Sequence, residues 1–392
     1  MPPISAFANF WFLAAWIGHA YIWTAGLNFV YAQPLPKSFL KPWRLLTGLV
    51  IIGFPFLYVV GMVSGTEYDG AGLFGAWGWG VWGYGLTCVA FGAGVFPLVT
   101  AYRLFRKPPA TLVSERTETL DLWAELGPAA IGDGRMTAVA RLPFNDIFRV
   151  DFTEQTLALP NLPPAWEGLS ILLLSDLHFH GTPARVFFDR VFDRLDAGPP
   201  PDLVCLAGDY IDTDAHRAWI GPLLGRLHAT HGKFAILGNH DAYHDPDAVR
   251  AELAAAGYTV LGNGWEEVTI RGEPCVLVGN ETPWFTPRPD LTAAPTGPFR
   301  LCLSHTPDHF AWGRRNGVGL MLCGHVHGGQ VRLPVVGSIF VPSVYGRRFD
   351  AGVFEGGGTV MVVGRGLSGK EPLRVRCRPQ VIRLTLTARR GA

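Results

Sequence analysis

Hydrophobic positions fall into two regimes along this chain. In the first hundred residues they form long uncharged blocks: no Asp, Glu, Lys or Arg occurs from Met1 to Pro36, from Leu45 to Thr66 or from Gly70 to Tyr102. After Pro164 they come as short runs, SILLLSD, DLVCLAGD, KFAILGNHD, PCVLVGN, FRLCLSH and GLMLCGH, separated by stretches of mixed polarity. A bilayer core of about 30 Å needs roughly 20 apolar residues as helix, and Phe7 to Tyr31, Leu45 to Val63 and Leu73 to Thr100 each provide that length. The blocks therefore predict an α-helical membrane region of about three spans over residues 1–107. Glycines from Gly72 to Gly94 suit the third span to close helix packing. The opening MPPISAFANFWFLAAW lacks the basic start of a cleavable signal peptide.

The six short runs read as buried strands. Between the first two, Thr182 is placed to cap a helix with Pro183 at its first position, and Phe187, Val191 and Leu195 recur at fourfold spacing. Asp245, Pro246 and Gly257 bracket another helix. Strand alternating with helix predicts an α/β domain over residues 165–392, and the alternation by itself suggests a doubly wound sheet. Residues 108–164, broken by Pro, Gly and charge, read as a linker and juxtamembrane segment with one strand near Phe148 to Thr153.

Composition narrows the function classes. At 392 residues, 48% hydrophobic and +1 net charge, the chain can bury a large core and carries no basic field, so nucleic acid is unsupported as a partner. Its six cysteines form no C-x-x-C pair and sit largely in apolar runs, which suits a reducing compartment. Lys37, Lys41 and Arg44 follow the first span, Glu67 and Asp69 the second, and Arg103, Arg106 and Lys107 the third. The positive-inside bias then places the protein in the cell (inner) membrane as a multi-pass chain with its second half cytoplasmic.

Chemistry collects where the strands stop. Asp176 and His178 follow the first run, Asp209 and Asp212 the second, and Asn239, His240 and Asp241 the third; His305 follows the fifth, and His325 and His327 the sixth. Ligands bind at the carboxyl ends of strands in open α/β sheets. In MLCGHVHGGQ, a period of two would put both imidazoles on one side of an extended chain. The converging Asp, His and Asn side chains include no thiolate, which suits Mn²⁺, Fe or Zn²⁺, and they exceed the needs of one ion. A carboxylate such as Asp209 could bridge two ions about 3.5 to 4 Å apart.

The ordered set D-x-H at Asp176, G-D-x-x-D at Gly208, G-N-H-D at Gly238, the lone His305 and G-H-x-H at Gly324 resembles the calcineurin-like metallophosphoesterase family over roughly Trp166 to Leu386. The resemblance implies a two-sheet β-sandwich flanked by helices instead of a doubly wound sheet. It further implies two divalent ions, manganese preferred: Asp176, His178 and His327 at the first, Asn239, His305 and His325 at the second, and Asp209 between them. Such ions lower the pKa of bound water to about 7 and so supply a nucleophile for in-line attack on phosphorus. His240 is expected to protonate the leaving oxygen, with Asp241 orienting its ring and Asp212 supporting a ligand. His180, His244 and His309 are expected at the surface, and Arg347, Arg348, Arg365, Lys370 and Arg374 as solvated loop charges.

The expected activity is metal-dependent hydrolysis of a phosphate ester or pyrophosphate. A membrane region joined to these motifs is similar to hydrolases of UDP-2,3-diacylglucosamine, so a lipid-linked substrate is expected. The alternatives are a general phosphomonoesterase, a cyclic-nucleotide phosphodiesterase, or a metal-free scaffold on the same fold.

Overall fold

The computed structural model describes residues 6–63, 78–134 and 136–389. Two compact units emerge, Met1–Lys107 with Pro334–Val336, and Pro108–Leu333 with Gly337–Ala392.

The first unit is helical: Ala6–Tyr31, Lys37–Val63, and Gly78–Ala90, which continues through a π turn at Phe91–Val95 into Phe96–Phe105. Two stretches among the described residues, Lys37–Phe56 and Gly83–Phe105, are long and apolar enough to cross a bilayer, with mean hydropathies of 1.3 and 1.6. The expected count of three spans is thus reduced. The first helix is long and uncharged, but Asn9, His19 and Asn28 dilute its hydropathy. The start of the expected third span, 73–77, and the charges Glu67 and Asp69 lie outside the described residues. Glycine sets the helix spacing here. A Cβ at Gly18 would stand 1.8 Å from the Cys88 carbonyl oxygen, and one at Gly92 1.8 Å from that of Ala14. His19 satisfies its ring between helices, with Nδ1 2.6 Å from the Tyr84 hydroxyl and Nε2 3.1 Å from the Val50 carbonyl oxygen.

In the second unit the six expected strands all form, within two sheets. The strands in chain order are β1 (Leu112–Asp121), β2 (Arg149–Leu159), β3 (Ser170–Leu174), β4 (Leu203–Leu206), β5 (Gly232–Ala235), β6 (Thr259–Val260), β7 (Trp265–Ile270), β8 (Glu273–Asn280), β9 (Phe299–Ser304), β10 (Leu320–Cys323), β11 (Arg332–Leu333), β12 (Gly337–Ser338), β13 (Gly352–Gly356), β14 (Thr359–Val363) and β15 (Gln380–Ala388). One sheet runs β1-β2-β15-β3-β4-β5-β6 and the other β13-β14-β10-β9-β8-β7, with β11 and β12 as a separate hairpin. A doubly wound sheet is therefore wrong: the chain leaves the first sheet after β6 and begins the second at β7, a break that strand–helix alternation does not record. The segment 108–164 is no linker either, because β1 and β2 extend the first sheet and β2 pairs in parallel with β15.

Alternation along each strand builds the layers. Ile171, Leu173, Leu203 and Cys205 face Leu277, Leu301, Leu303, Leu320 and Leu322 of the other sheet in the central core. The neighbouring Leu172, Leu174, Val204 and Leu206 face outward onto Phe187, Phe188, Val191 and Phe192 of the helix Arg185–Asp196 and onto Val249 and Leu253 of the helix Pro246–Ala255. On the far side Val278, Cys302, Met321 and Cys323 meet Phe310 and Trp312. Both faces of the central strands are buried, which is why their sequences read as continuous apolar runs. Asp245 caps its helix by accepting from the Ala248 amide at 3.1 Å. Thr182 does not cap the other: that helix begins after Ala184, and Thr182 is buried.

Register aligns the strand ends. Leu174 pairs with Leu206 and Leu206 with Ala235; Cys323 pairs with Ser304 and Ser304 with Asn280. The residues that follow these rows leave the same end of the sandwich, from both sheets.

Candidate metal centre

Four of the sequence-predicted ligands, Asp176, His178, Asp209 and Asn239, come from the first sheet's loops. Asp176 and His178 donate their backbone amides to the Gly208 and Asp209 carbonyl oxygens at 2.9 and 3.1 Å, which locks the β3 and β4 loops together. Gly208 lets them close: at φ 92° it adopts a conformation rare for other residues, and a Cβ there would stand 2.6 Å from the Gly238 nitrogen. Asp209 Oδ1 accepts the His240 amide at 2.7 Å, which leaves Oδ2 facing the pocket.

The second sheet supplies the remaining imidazoles. His325 and His327 are brought to the same pocket, but by a different route from the expected extended chain. His325, Val326 and His327 have φ values of 70°, −86° and 51°, a left-right-left sequence of turns. Asp176, His178 and Asp209 also have positive φ. Five of the predicted ligands thus occupy a backbone region that non-glycine residues seldom adopt, strain that the surrounding hydrogen bonds must hold and that recurs at functional sites.

The donor atoms form two groups sharing one carboxylate. Asp176, His178, Asp209 and His327 offer ligand atoms within 4.8 Å of one another, as do Asp209, His305 and His325. Asp209 Oδ2 lies 3.6 Å from His178 Nε2 and 3.5 Å from His305 Nε2. Asn239 Oδ1 is 3.0 Å from His305 Nε2, so it joins the second group. Second partners fix the rings: Asp212 Oδ2 lies 3.0 Å from His178 Nδ1, and the Ala207 carbonyl 2.7 Å from His305 Nδ1, which turns each Nε2 toward the other donor atoms. Asp209 Oδ2 and both ring nitrogens of His325 are buried without a hydrogen-bond partner among the described residues. Buried polar atoms are rarely left so, and here they converge as cation ligands do.

The electrostatics agree. Burial pulls the His178 and His305 rings down, yet the carboxylates around them, Asp212 first for His178 and Asp209 first for His305, win and push both up to about 9. The pocket therefore attracts positive charge. Burial and the neighbouring charged rings hold His325 and His327 well below the ordinary imidazole value, so their lone pairs stay available. The residues fit divalent ions.

Two roles differ from expectation. Asp241 does not orient His240. Its buried carboxylate accepts the backbone amides of Gly238, Asp209 and Tyr210 at 2.8, 2.9 and 2.9 Å, tying the β4 and β5 loops. Asp212 orients the ring instead, with Oδ1 in a short hydrogen bond to His240 Nδ1 while Oδ2 reaches His178. Of the histidines expected at the surface, His180 and His309 are buried. Arg374 is also no solvated charge: fully buried, it donates from one terminal nitrogen to the His327 and Arg365 carbonyl oxygens at 2.9 and 2.8 Å and from the other to that of Ser368. It pins the loop carrying His327, and only its place after β14 could have drawn attention to it.

A family model described as calcineurin-like phosphoesterase matches residues 169–329. The metallophosphoesterase YkuE of Bacillus subtilis is 31% identical over 60% of this chain and 85% of its own length. The chain belongs to the calcineurin-like metallophosphoesterases. Membership makes it a metal-dependent hydrolase of the mixed α/β calcineurin-like fold, with divalent metal ions as its cofactors. The phosphodiesterase YaeI of Escherichia coli is 34% identical over 55% of this chain and 81% of that protein. A transmembrane protein with a metallophosphoesterase domain from Bos taurus is 24% identical over 95% of this chain and 87% of that protein.

Proposed function

We propose that this metallophosphoesterase is a membrane-anchored enzyme holding two divalent ions, with Asp176, His178 and His327 at one, Asn239, His305 and His325 at the other, and Asp209 bridging. The observation that carries this reading is the unpartnered Asp209 Oδ2 between two ring nitrogens at 3.5 and 3.6 Å, one in each donor group. Ligands without a thiolate suit manganese, with iron or zinc next. When bound, such ions acidify water and neutralise charge on phosphoryl oxygens. The chain's own contribution is the relay beside them: Asp212 holds His240 through Nδ1, which leaves Nε2 to carry a proton to the leaving oxygen. Asp176 and Asp209 set the charge of the pocket, and Arg374 fixes the backbone from which His327 projects.

Membrane anchorage is supported by the two apolar stretches and by the bovine relative's match over nearly the whole chain. With the catalytic unit cytoplasmic, as the charged connectors favour, the substrate is proposed to be a lipid-linked phosphate or pyrophosphate, for which UDP-2,3-diacylglucosamine is the specific candidate. A domain tethered to a bilayer meets such molecules by diffusion in two dimensions. The second reading, a general phosphodiesterase, is favoured by the name of the E. coli relative. The deciding experiment assays the full chain in matched detergent micelles with Mn²⁺. The lipid-linked pyrophosphate is expected to show the higher kcat/KM than its water-soluble headgroup analogue. Equal efficiency would leave the general diesterase ahead.

A further inference from the structure

Trp284 lies on the loop after β8, and its indole packs on both imidazoles of the second donor group. Ring centroids stand 4.7 Å from His325 and 5.4 Å from His305, and those two rings are 4.9 Å apart. Both histidines are buried while Trp284 is half-buried. The indole therefore helps to seal the histidines from water and keeps part of its own surface exposed beside them. Its N–H has no hydrogen-bond partner among the described residues.

The loop is held on both sides of the ring. Thr282 donates its amide and hydroxyl to Asn280 Oδ1 at 3.1 and 2.6 Å. Asn263 accepts the Glu281 amide at 2.6 Å and donates to the Phe285 carbonyl at 2.7 Å. Arg250 lies 5.3 Å from the centroid of the Phe285 ring. A rigid aromatic surface costs little ordering when something docks on it.

We propose that Trp284 is a specificity-determining wall of the site, favouring phosphate esters whose group beside the phosphorus is flat and aromatic over those with a small alkyl group. The inference rests on the reading that His305 and His325 hold an ion, which puts the phosphorus next to the indole. Aromatic pairs contribute enough to alter affinity by about 3- to 10-fold.

The probes are phenylphosphonate and methylphosphonate, bound to the manganese-loaded full chain and measured by calorimetry, with metal content determined in parallel. The native protein is expected to prefer the phenyl compound by about 3- to 10-fold, Trp284→Phe to keep most of that preference, and Trp284→Leu to bring it near parity with both ions retained. An unchanged ratio in Trp284→Leu overturns the inference. So does loss of metal with both phosphonates weakened equally, because the indole would then only cover the histidines. His305→Ala with undiminished metal content would sink the ion assignment itself, whatever the phosphonate ratio, and this inference with it.

Discussion

Nε2 of His178 stands 3.2 Å from Nε2 of His327, although one ring follows a strand of the first sheet and the other a strand of the second. Two imidazole lone pairs do not approach this closely without a shared proton or cation. With Asp176 and Asp209 beside them, they mark where an ion would join the sheets. Asp209→Asn is expected to weaken both ions and His325→Ala only one, as read by elemental analysis of purified protein. One ion that survives Asp209→Asn unchanged would contradict the bridge.

His240→Ala is expected to fold and keep its metals while losing about 10² to 10⁴-fold in kcat, the usual contribution of a general acid. The loss should shrink for esters with good leaving groups. Asp212→Asn should reproduce much of it and also lower metal affinity, since the same carboxylate holds His178. If an alkyl phosphate is hydrolysed at the native rate by His240→Ala, the acid lies elsewhere.

Asp241→Ala should act on stability first. Four buried amides, those of Asp209, Tyr210, Ile211 and Gly238, would lose their acceptor, at about 1 to 3 kcal/mol each, so stability is expected to fall by on the order of 4 kcal/mol or more. The predicted pattern is a lower Tm with turnover per folded molecule reduced less than in His240→Ala.

Far from the metal centre, Asp202 offers a pH test. Burial would raise its carboxyl, but the Ser170 amide and hydroxyl and the Arg271 guanidinium outweigh that and hold it below the ordinary value. A depressed folded-state value contributes stability above the unfolded value of about 3.9, lost as pH falls through the folded one. Asp202→Asn should therefore narrow the stability gap to the native chain steadily as pH drops below about 4. A gap independent of pH down to 2 would exclude the ionic origin.

Much of this was legible in the chain because burial on both faces writes strands as uninterrupted apolar runs, and each run here stops at its ligand. The first sheet's outer strands were not. β1, LVSERTETLD, is exposed along most of its length, so no apolar alternation marks it, and its neighbour β2 pairs with β15 from the far end of the chain. The exchange of roles between Asp212 and Asp241 was hidden for a related reason: which carboxylate reaches a ring depends on how two loops fold back. Residue type and spacing are the same either way. The left-handed turns at His325 and His327 left no mark beyond the glycines around them, and the burial of Arg374 and the placement of Trp284 follow from contacts with residues distant in sequence.

The strand ends that meet at the pocket belong to two different sheets, and this has a consequence for how the protein lives in a cell. Ions held by Asp176, Asp209 and Asn239 on one side and His305, His325 and His327 on the other would act as rivets through the sandwich. Ligands that bind only the folded state stabilise it by an amount that rises with the logarithm of their free concentration. The amount of intact enzyme would then follow divalent-metal availability, and a starved cell would lose the protein itself as well as its turnover.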